Sequence, residues 1–307
     1  MTNLFILGNG FDIAHGLATK YQDFHNYLLR VYPKAAKLSP SFSIDSSIMP
    51  DGEEVFDENE VVAFIMDIIS EAEEEGNNWS DVETSLGKLD FERYLDDMSL
   101  LFNLDDDKEL FRMAYRYEDV SNNFHKVIVK IKDLFSDWIN SIDVLEVSSK
   151  IIFKDLINEK NDLFLNFNYT SILEEIYDVQ NVYYIHGMQN GEIIFGHGEE
   201  KNNFENIYTG SEFALAEIHL SLKKDTTKSI EEAKLFFSEF SSVKKIYSYG
   251  FSFSRVDLPY IREICKKCNT KKCIWYLSNF ESEQKREGYK KIIADCGFEG
   301  KFAVFGI

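Results

Sequence analysis

Short apolar runs mark the two ends of this chain, whereas its middle repeats apolar positions every three or four residues. Leu4-Phe5-Ile6-Leu7 is too short an apolar run for a helix and predicts a buried strand. Thr19 followed by Gln22 is a capping-box pattern, predicting a helix from Lys20 to Val31 before Pro33. Residues 33–53 are rich in Pro, Ser, Asp and Gly and read as a surface excursion. The segments 54–75, 83–102, 107–140 and 143–160 have helical spacing, as in Val61, Phe64, Ile65, Ile68 and Ile69. Glu71, Glu73, Glu74 and Glu75 read as a solvated helix end.

Beyond residue 160 short apolar runs return and alternate with helical segments. Strands are predicted at 163–165, 182–185, 193–195, 245–249, 274–277 and 302–305, the third after an Asn190-Gly191 hairpin turn. Helices are predicted at 171–178, 211–240, 259–267 and 281–294. This alternation implies an α/β fold with a mainly parallel sheet covered on both faces. The sheet opens with the first strand and resumes near 162, so a large helical insertion follows that strand. The expected division is an α/β nucleotide-binding domain over 1–32 and 161–307 and a helical insertion domain over 33–160.

Composition narrows the function classes. The 307 residues are 44% apolar, as a globular core requires. With 53 acidic residues against 33 basic, the net charge of −20 opposes stable nucleic-acid binding and docking on anionic lipid. No apolar run approaches the length of a membrane span, and no signal-peptide pattern is present, so the expected location is the cytoplasm. Cys265-x-x-Cys268-x4-Cys273 offers only one knuckle and Cys273 enters a predicted strand, so no metal site is assigned.

In an open parallel sheet, ligands sit beyond the carboxyl ends of the strands. The first strand delivers Gly8, Asn9, Gly10 and Asp12 there; glycines admit positive φ and close approach of backbone amides to a ligand. The three-glycine dinucleotide fingerprint is incomplete, because position 13 is Ile13. The next strand delivers Asn166, Asn168, Tyr169 and Thr170, then come His186 and Gly187, then His197 between Gly196 and Gly198. The strand near 247 delivers Gly250, Ser252, Ser254 and Asp257. Thr170, Ser171 and Ser254 also fit helix starts, and Asp257 favours the positive end of the helix that follows.

The runs GNGFDIAHGLAT, WSDVE (Trp79–Glu83), NFNYT, YIHG and YGFSFSRVD resemble, in order and over nearly the whole chain, the motifs of the bacterial abortive-infection AbiH family. More distantly the strand-end set is similar to the SIR2-like NAD-consuming fold. The AbiH resemblance implies defence against phage by arresting or killing the infected cell. The SIR2-like resemblance implies that Gly8, Asn9, Gly10 and Asp12 belong to a loop that holds NAD as substrate. It implies that Asn168 and His186 are catalytic, and that Gly250 and Ser252 form the adenosine-side turn, with Thr170 and Asp257 completing the ligand-binding set. The departure is Thr170, where the wider fold has Asp, and a hydroxyl supplies no fixed negative charge.

Cleavage of the nicotinamide–ribose bond passes through an oxocarbenium-like sugar and needs positioned water, a base near neutral pKa and negative potential. His186 fits the base, Asn168 the positioning amide, and Asp12 or Glu83 the carboxylate. One alternative is a nuclease using His186, His197 and Asp257, with or without a metal. Another is a nucleotide or phage sensor that signals to a partner protein. An unregulated NAD hydrolase would kill its host, so a homo-oligomer or the helical block is expected to restrain it until a phage trigger acts.

Overall fold

Four consecutive apolar residues form a strand where both faces of the sheet are covered, and Leu4, Phe5, Ile6 and Leu7 are all fully buried. The computed structural model describes residues 2–74, 76, 78–100 and 107–306. In chain order the strands are β1 (Asn3–Leu7), β2 (Ser46–Ile48), β3 (Glu54–Phe56), β4 (Leu163–Asn166), β5 (Val182–Tyr184), β6 (Lys245–Tyr249), β7 (Ile274–Ser278) and β8 (Lys301–Phe305). Six of them form one sheet in the order β5-β4-β1-β6-β7-β8, with every pairing parallel. Counted among themselves, these six run 3-2-1-4-5-6, a Rossmann-like order in which the chain leaves β1 first to one side and later to the other.

Side-chain alternation divides the core into two layers. Leu4 and Ile6 join Leu165, Ile246 and Trp275 on one face, packed against helix Leu258–Lys267 through Ile261 and Ile264. Phe5 and Leu7 join Phe164, Tyr247 and Tyr249 on the other, packed against Phe11, Phe153 and Leu173. On this second face Phe164, Phe5, Tyr247 and Tyr276 stack in a ladder across four strands, with centroids 5.1, 4.8 and 4.6 Å apart. Cross-strand aromatic pairs of this kind fix strand register.

The chain forms two compact units, 1–20 with 139–194 and 225–307, and 21–138 with 195–224. These bounds differ from the expected division at 32/33 and 160/161. Residues 21–32 join the helical unit because Phe24 of helix Tyr21–Val31 packs among Trp79, Phe135 and Trp138, with the Trp138 ring stacked at 5.2 Å. Residues 139–160 belong with the sheet, where Phe153 meets Phe5 and Phe11. The segment 195–224 belongs with the helices, and Phe195 stacks on Phe135 at 3.9 Å.

Several elements differ from the sequence reading. The chain enters a short helix, Asn9–Ala14, directly after Gly8. Residues 193–195 form no strand: Ile194 N donates to His186 O and Tyr169 Oη to Ile194 O, leaving the segment as a strap. The single helix expected over 211–240 is three, Glu212–Ser221, Thr226–Glu232 and Lys234–Ser238, because Asp225 caps a new start at Lys228 N. Ser171 begins helix Ile172–Tyr177 with no side-chain cap. Glu73 is buried rather than solvated, and its carboxylate accepts from Ser80 and Asp81 amides. Glu75 and residues 101–102 of an expected helix lie outside the described residues.

β1 and β6 also touch beyond their ends. Gly8 N donates to Tyr249 O at 3.1 Å and Gly10 N to Gly250 O at 2.9 Å. A β-carbon on Gly10 would stand 2.6 Å from Gly250 Cα; one on Gly250, at φ +64°, would stand 2.2 Å from Phe11 N. The missing β-carbons therefore serve a contact of backbone on backbone within the fold. Gly250→Ala is expected to destabilise the protein by more than about 3 kcal/mol in denaturant unfolding. Gly16→Ala, at φ +87° with open space around it, is expected to cost only about 1 kcal/mol. Similar costs for the two variants would overturn this account of the contact.

Candidate functional site

Helix Asn9–Ala14 begins at the carboxyl end of β1 and carries Asp12 into a site where the side chain is 2% exposed. A buried carboxyl needs donors, and the loop after β4 supplies them. Asn168 Nδ2 donates to Asp12 Oδ1 at 2.6 Å, and Thr170 Oγ1 donates to Asp12 Oδ2 at 2.7 Å. Asn168 Nδ2 also donates to Gly8 O at 3.1 Å, while Asn168 N donates to Asn166 Oδ1 at 3.1 Å. Burial pushes the Asp12 carboxyl up to about 7, against the opposing pull of the Thr170 and Asn168 donors. A carboxyl titrating near neutrality at a strand end is suited to proton transfer or to a pH-dependent charge.

A second group forms around His186, at the end of β5. The ring is buried, with Nε2 lying 3.4 Å from Asp257 Oδ1. Ser254 Oγ donates to the other Asp257 oxygen at 3.0 Å. Phe167 and Tyr260 meet the imidazole edge to face at centroid distances of 5.3 and 5.7 Å. Phe167 also packs on Phe251 at 4.4 Å, so it spans the loops after β4 and β6. The strand-end reading omitted Phe167 and Tyr260; within NFNYT, Phe167 differs from any core residue only by standing between two asparagines.

The structure thus joins Gly8, Asp12, Asn168 and Thr170 by hydrogen bonds, and places His186 beside Asp257. Asn9 turns outward, its Nδ2 donating to Thr19 O at 2.7 Å. Ser252 is exposed in the turn after Gly250.

His197 lies in the helical unit, where both ring nitrogens meet backbone. Nε2 donates to His219 O at 3.0 Å and Nδ1 accepts from Glu199 N at 3.2 Å. Burial, with His219 next in weight, lowers its pKa to about 4. Glu83 is also in that unit, paired with the buried Lys224 at 2.5 Å. Lys224 stands in a polar stretch that carries no sequence signal for burial. Cys265, Cys268, Cys273 and Cys296 are buried thiols of the sheet's core, and burial pushes Cys265 and Cys268 up to about 12. Among the described residues, no group of three or more His, Cys, Asp or Glu is arranged to hold a metal ion.

The family model described as bacteriophage abortive infection AbiH matches residues 4–279, an interval holding every strand-end group above. The chain belongs to the AbiH family. That membership indicates a role in abortive infection by bacteriophage. No curated protein and no solved structure matches this AbiH chain. No described helix is long and apolar enough to cross a membrane.

The raised pKa of Asp12 has a consequence for stability. The folded state holds the proton more tightly than the unfolded chain, whose value is near 3.8. The carboxyl's contribution is therefore complete below about pH 4 and is lost as pH rises through about 7. Asp12→Asn keeps an acceptor for Asn168 and presents an amide to the Thr170 hydroxyl. The variant is expected to lose this pH dependence, and at pH 8 to exceed the parent in stability by roughly 1–3 kcal/mol. Denaturant midpoints measured from pH 4 to 8 check this; parallel curves for the two proteins would refute it.

Proposed function

We propose that this AbiH protein is a nucleotide-binding effector that hydrolyses NAD at the nicotinamide–ribose bond, using the carboxyl-end rim of β1, β4, β5 and β6. The observation that carries the reading is the Asn168 amide, which donates at once to Asp12 and to the Gly8 carbonyl on a sheet of dinucleotide-binding order. The ribose lies against Asn168, whose amide orders the attacking water or the sugar hydroxyls. Water adds to C1′ as the C1′–N bond breaks and its electron pair leaves with nicotinamide. His186 takes the proton from that water, with Asp257 beside its ring. Both Asp12 oxygens already accept protein hydrogen bonds, so Asp12 acts on the developing cation through its charge. This supplies the negative potential that Thr170 lacks. Gly8, Asn9, Gly10, Gly250 and Ser252 form the turn region on the nucleotide side.

The burial of Asp12, Asn168 and His186, each under 5% exposed, supports a resting form that is held closed. Opening by a phage component, or by a change in self-association, then starts the reaction. The same burial supports a second reading, a sensor that binds nucleotide and signals to a partner protein without turnover. The nuclease reading is weaker, because both nitrogens of His197 are committed to backbone.

In infected cells carrying the protein, NAD is expected to fall and nicotinamide to appear. His186→Ala and Asn168→Ala are each expected to slow the release by about 10²–10⁴-fold. The activated protein's rate is expected to rise with pH through about 7 as Asp12 ionises, and Asp12→Asn is expected to remove that part of the rise and to lower the rate at pH 8. An unchanged NAD pool during a successful abortive response would refute the hydrolase. Nucleotide binding without release would then select the sensor.

A further inference from the structure

The helical unit contains a cavity of about 160 Å3, unrelated to the strand-end groups. Its apolar wall includes Leu95 and Ile218, both almost fully buried, and the buried Phe91. A space of this size is close to one that accommodates a benzene ring. The polar part is asymmetric: Asp90, Glu92 and Glu205 face the cavity with Lys201 as the cation among them. These four side chains are exposed, placing the charge at the mouth and the apolar surface inside.

Two further features define the ligand's polarity. His219, 7% exposed, lines the cavity and donates from Nε2 to Glu199 O at 3.1 Å. A ring protonated at Nε2 keeps Nδ1 as its acceptor, and burial lowers the His219 pKa, favouring that neutral form. In that form the ring is uncharged and does not repel a cation in the cavity it lines. Phe204, also in the lining, holds the Lys201 ammonium 4.9 Å from its ring centroid, so this aromatic face already attracts a cation.

We propose that the cavity binds a small organic monocation, an amine of about eight to ten non-hydrogen atoms, with its apolar body against Leu95 and Ile218 and its ammonium among the carboxylates. The site is separate from NAD hydrolysis and stands whether or not that reading holds.

Calorimetry on the full chain at low ionic strength, with phenethylamine, 2-phenylethanol and 3-phenylpropionate as probes, separates charge from shape. The amine is expected to bind with a dissociation constant of roughly 1 mM or below, about tenfold tighter than the alcohol, and the carboxylate is expected to be rejected. The double variant Glu92→Gln/Glu205→Gln is expected to weaken the amine by about threefold to tenfold while leaving the alcohol unchanged. Because both side chains are exposed, the variant retains its core. In a histidine-labelled sample the amine is expected to shift the His219 ring resonances. Equal binding of amine and alcohol, preference for the carboxylate, an unaffected double variant or an unmoved His219 ring would each overturn the proposal. So would the absence of saturation by any probe up to about 20 mM.

Discussion

The contact of backbone on backbone between the ends of β1 and β6 is the constraint on which the strand-end architecture depends. Two neighbouring parallel strands normally diverge into separate loops; here Gly8 and Gly10 press against Gly250 and Phe251 with no side chain between. That closeness seats helix Asn9–Ala14 immediately after β1. Asp12, on that helix, is then enclosed by the loop after β4, and its two oxygens require two donors. Asn168 and Thr170 provide them. Glycine packing and the buried polar group are thus one arrangement, in which backbone proximity creates the burial and the hydrogen bonds make it tolerable.

The arrangement gives the rim two unlike ionisable centres. Asp12 is surrounded by protein donors and still sits near neutrality, because desolvation outweighs the hydrogen bonds. His186 lies among aromatic rings with one carboxylate beside it. Thr170, whose side chain carries no charge, spends its hydroxyl on Asp12. The charge of this cluster therefore resides on Asp12 alone and is present only when that carboxyl is ionised.

Much of the sheet was legible because buried parallel strands are written as short apolar runs, and β1, β4, β6 and β7 follow that rule, while β8, at the sheet's edge, is an apolar run that is only partly buried. Ile193-Ile194-Phe195 has the same signature and forms no strand, since three apolar residues can equally cover a core from a strap; local composition does not distinguish the two. The use of Gly8 and Gly10 was illegible for a different reason. A glycine records only that something approaches closely, and the partner, Gly250, lies some 240 residues away. The grouping of Asp12 with Asn168 and Thr170 was indicated by strand ends alone, without the hydrogen bonds that organise it. The limits of the two compact units were not legible where single aromatic side chains such as Phe24, Phe153 and Phe195 choose a core that the surrounding polarity does not reveal.

The central position of β1 also has a cost during synthesis. Its partners, β4 and β6, lie about 160 and 240 residues further along the chain. At ribosomal rates this is a wait of roughly 8–50 s for a strand whose four apolar residues have no covering surface. Sheets assembled from such remote partners nucleate slowly, because a large loop must close before the pairing is rewarded. The helical segment made in that interval has its own aromatic core, centred on Phe64, Phe91 and Phe124. It is therefore able to condense first and shorten the effective loop that the sheet must close.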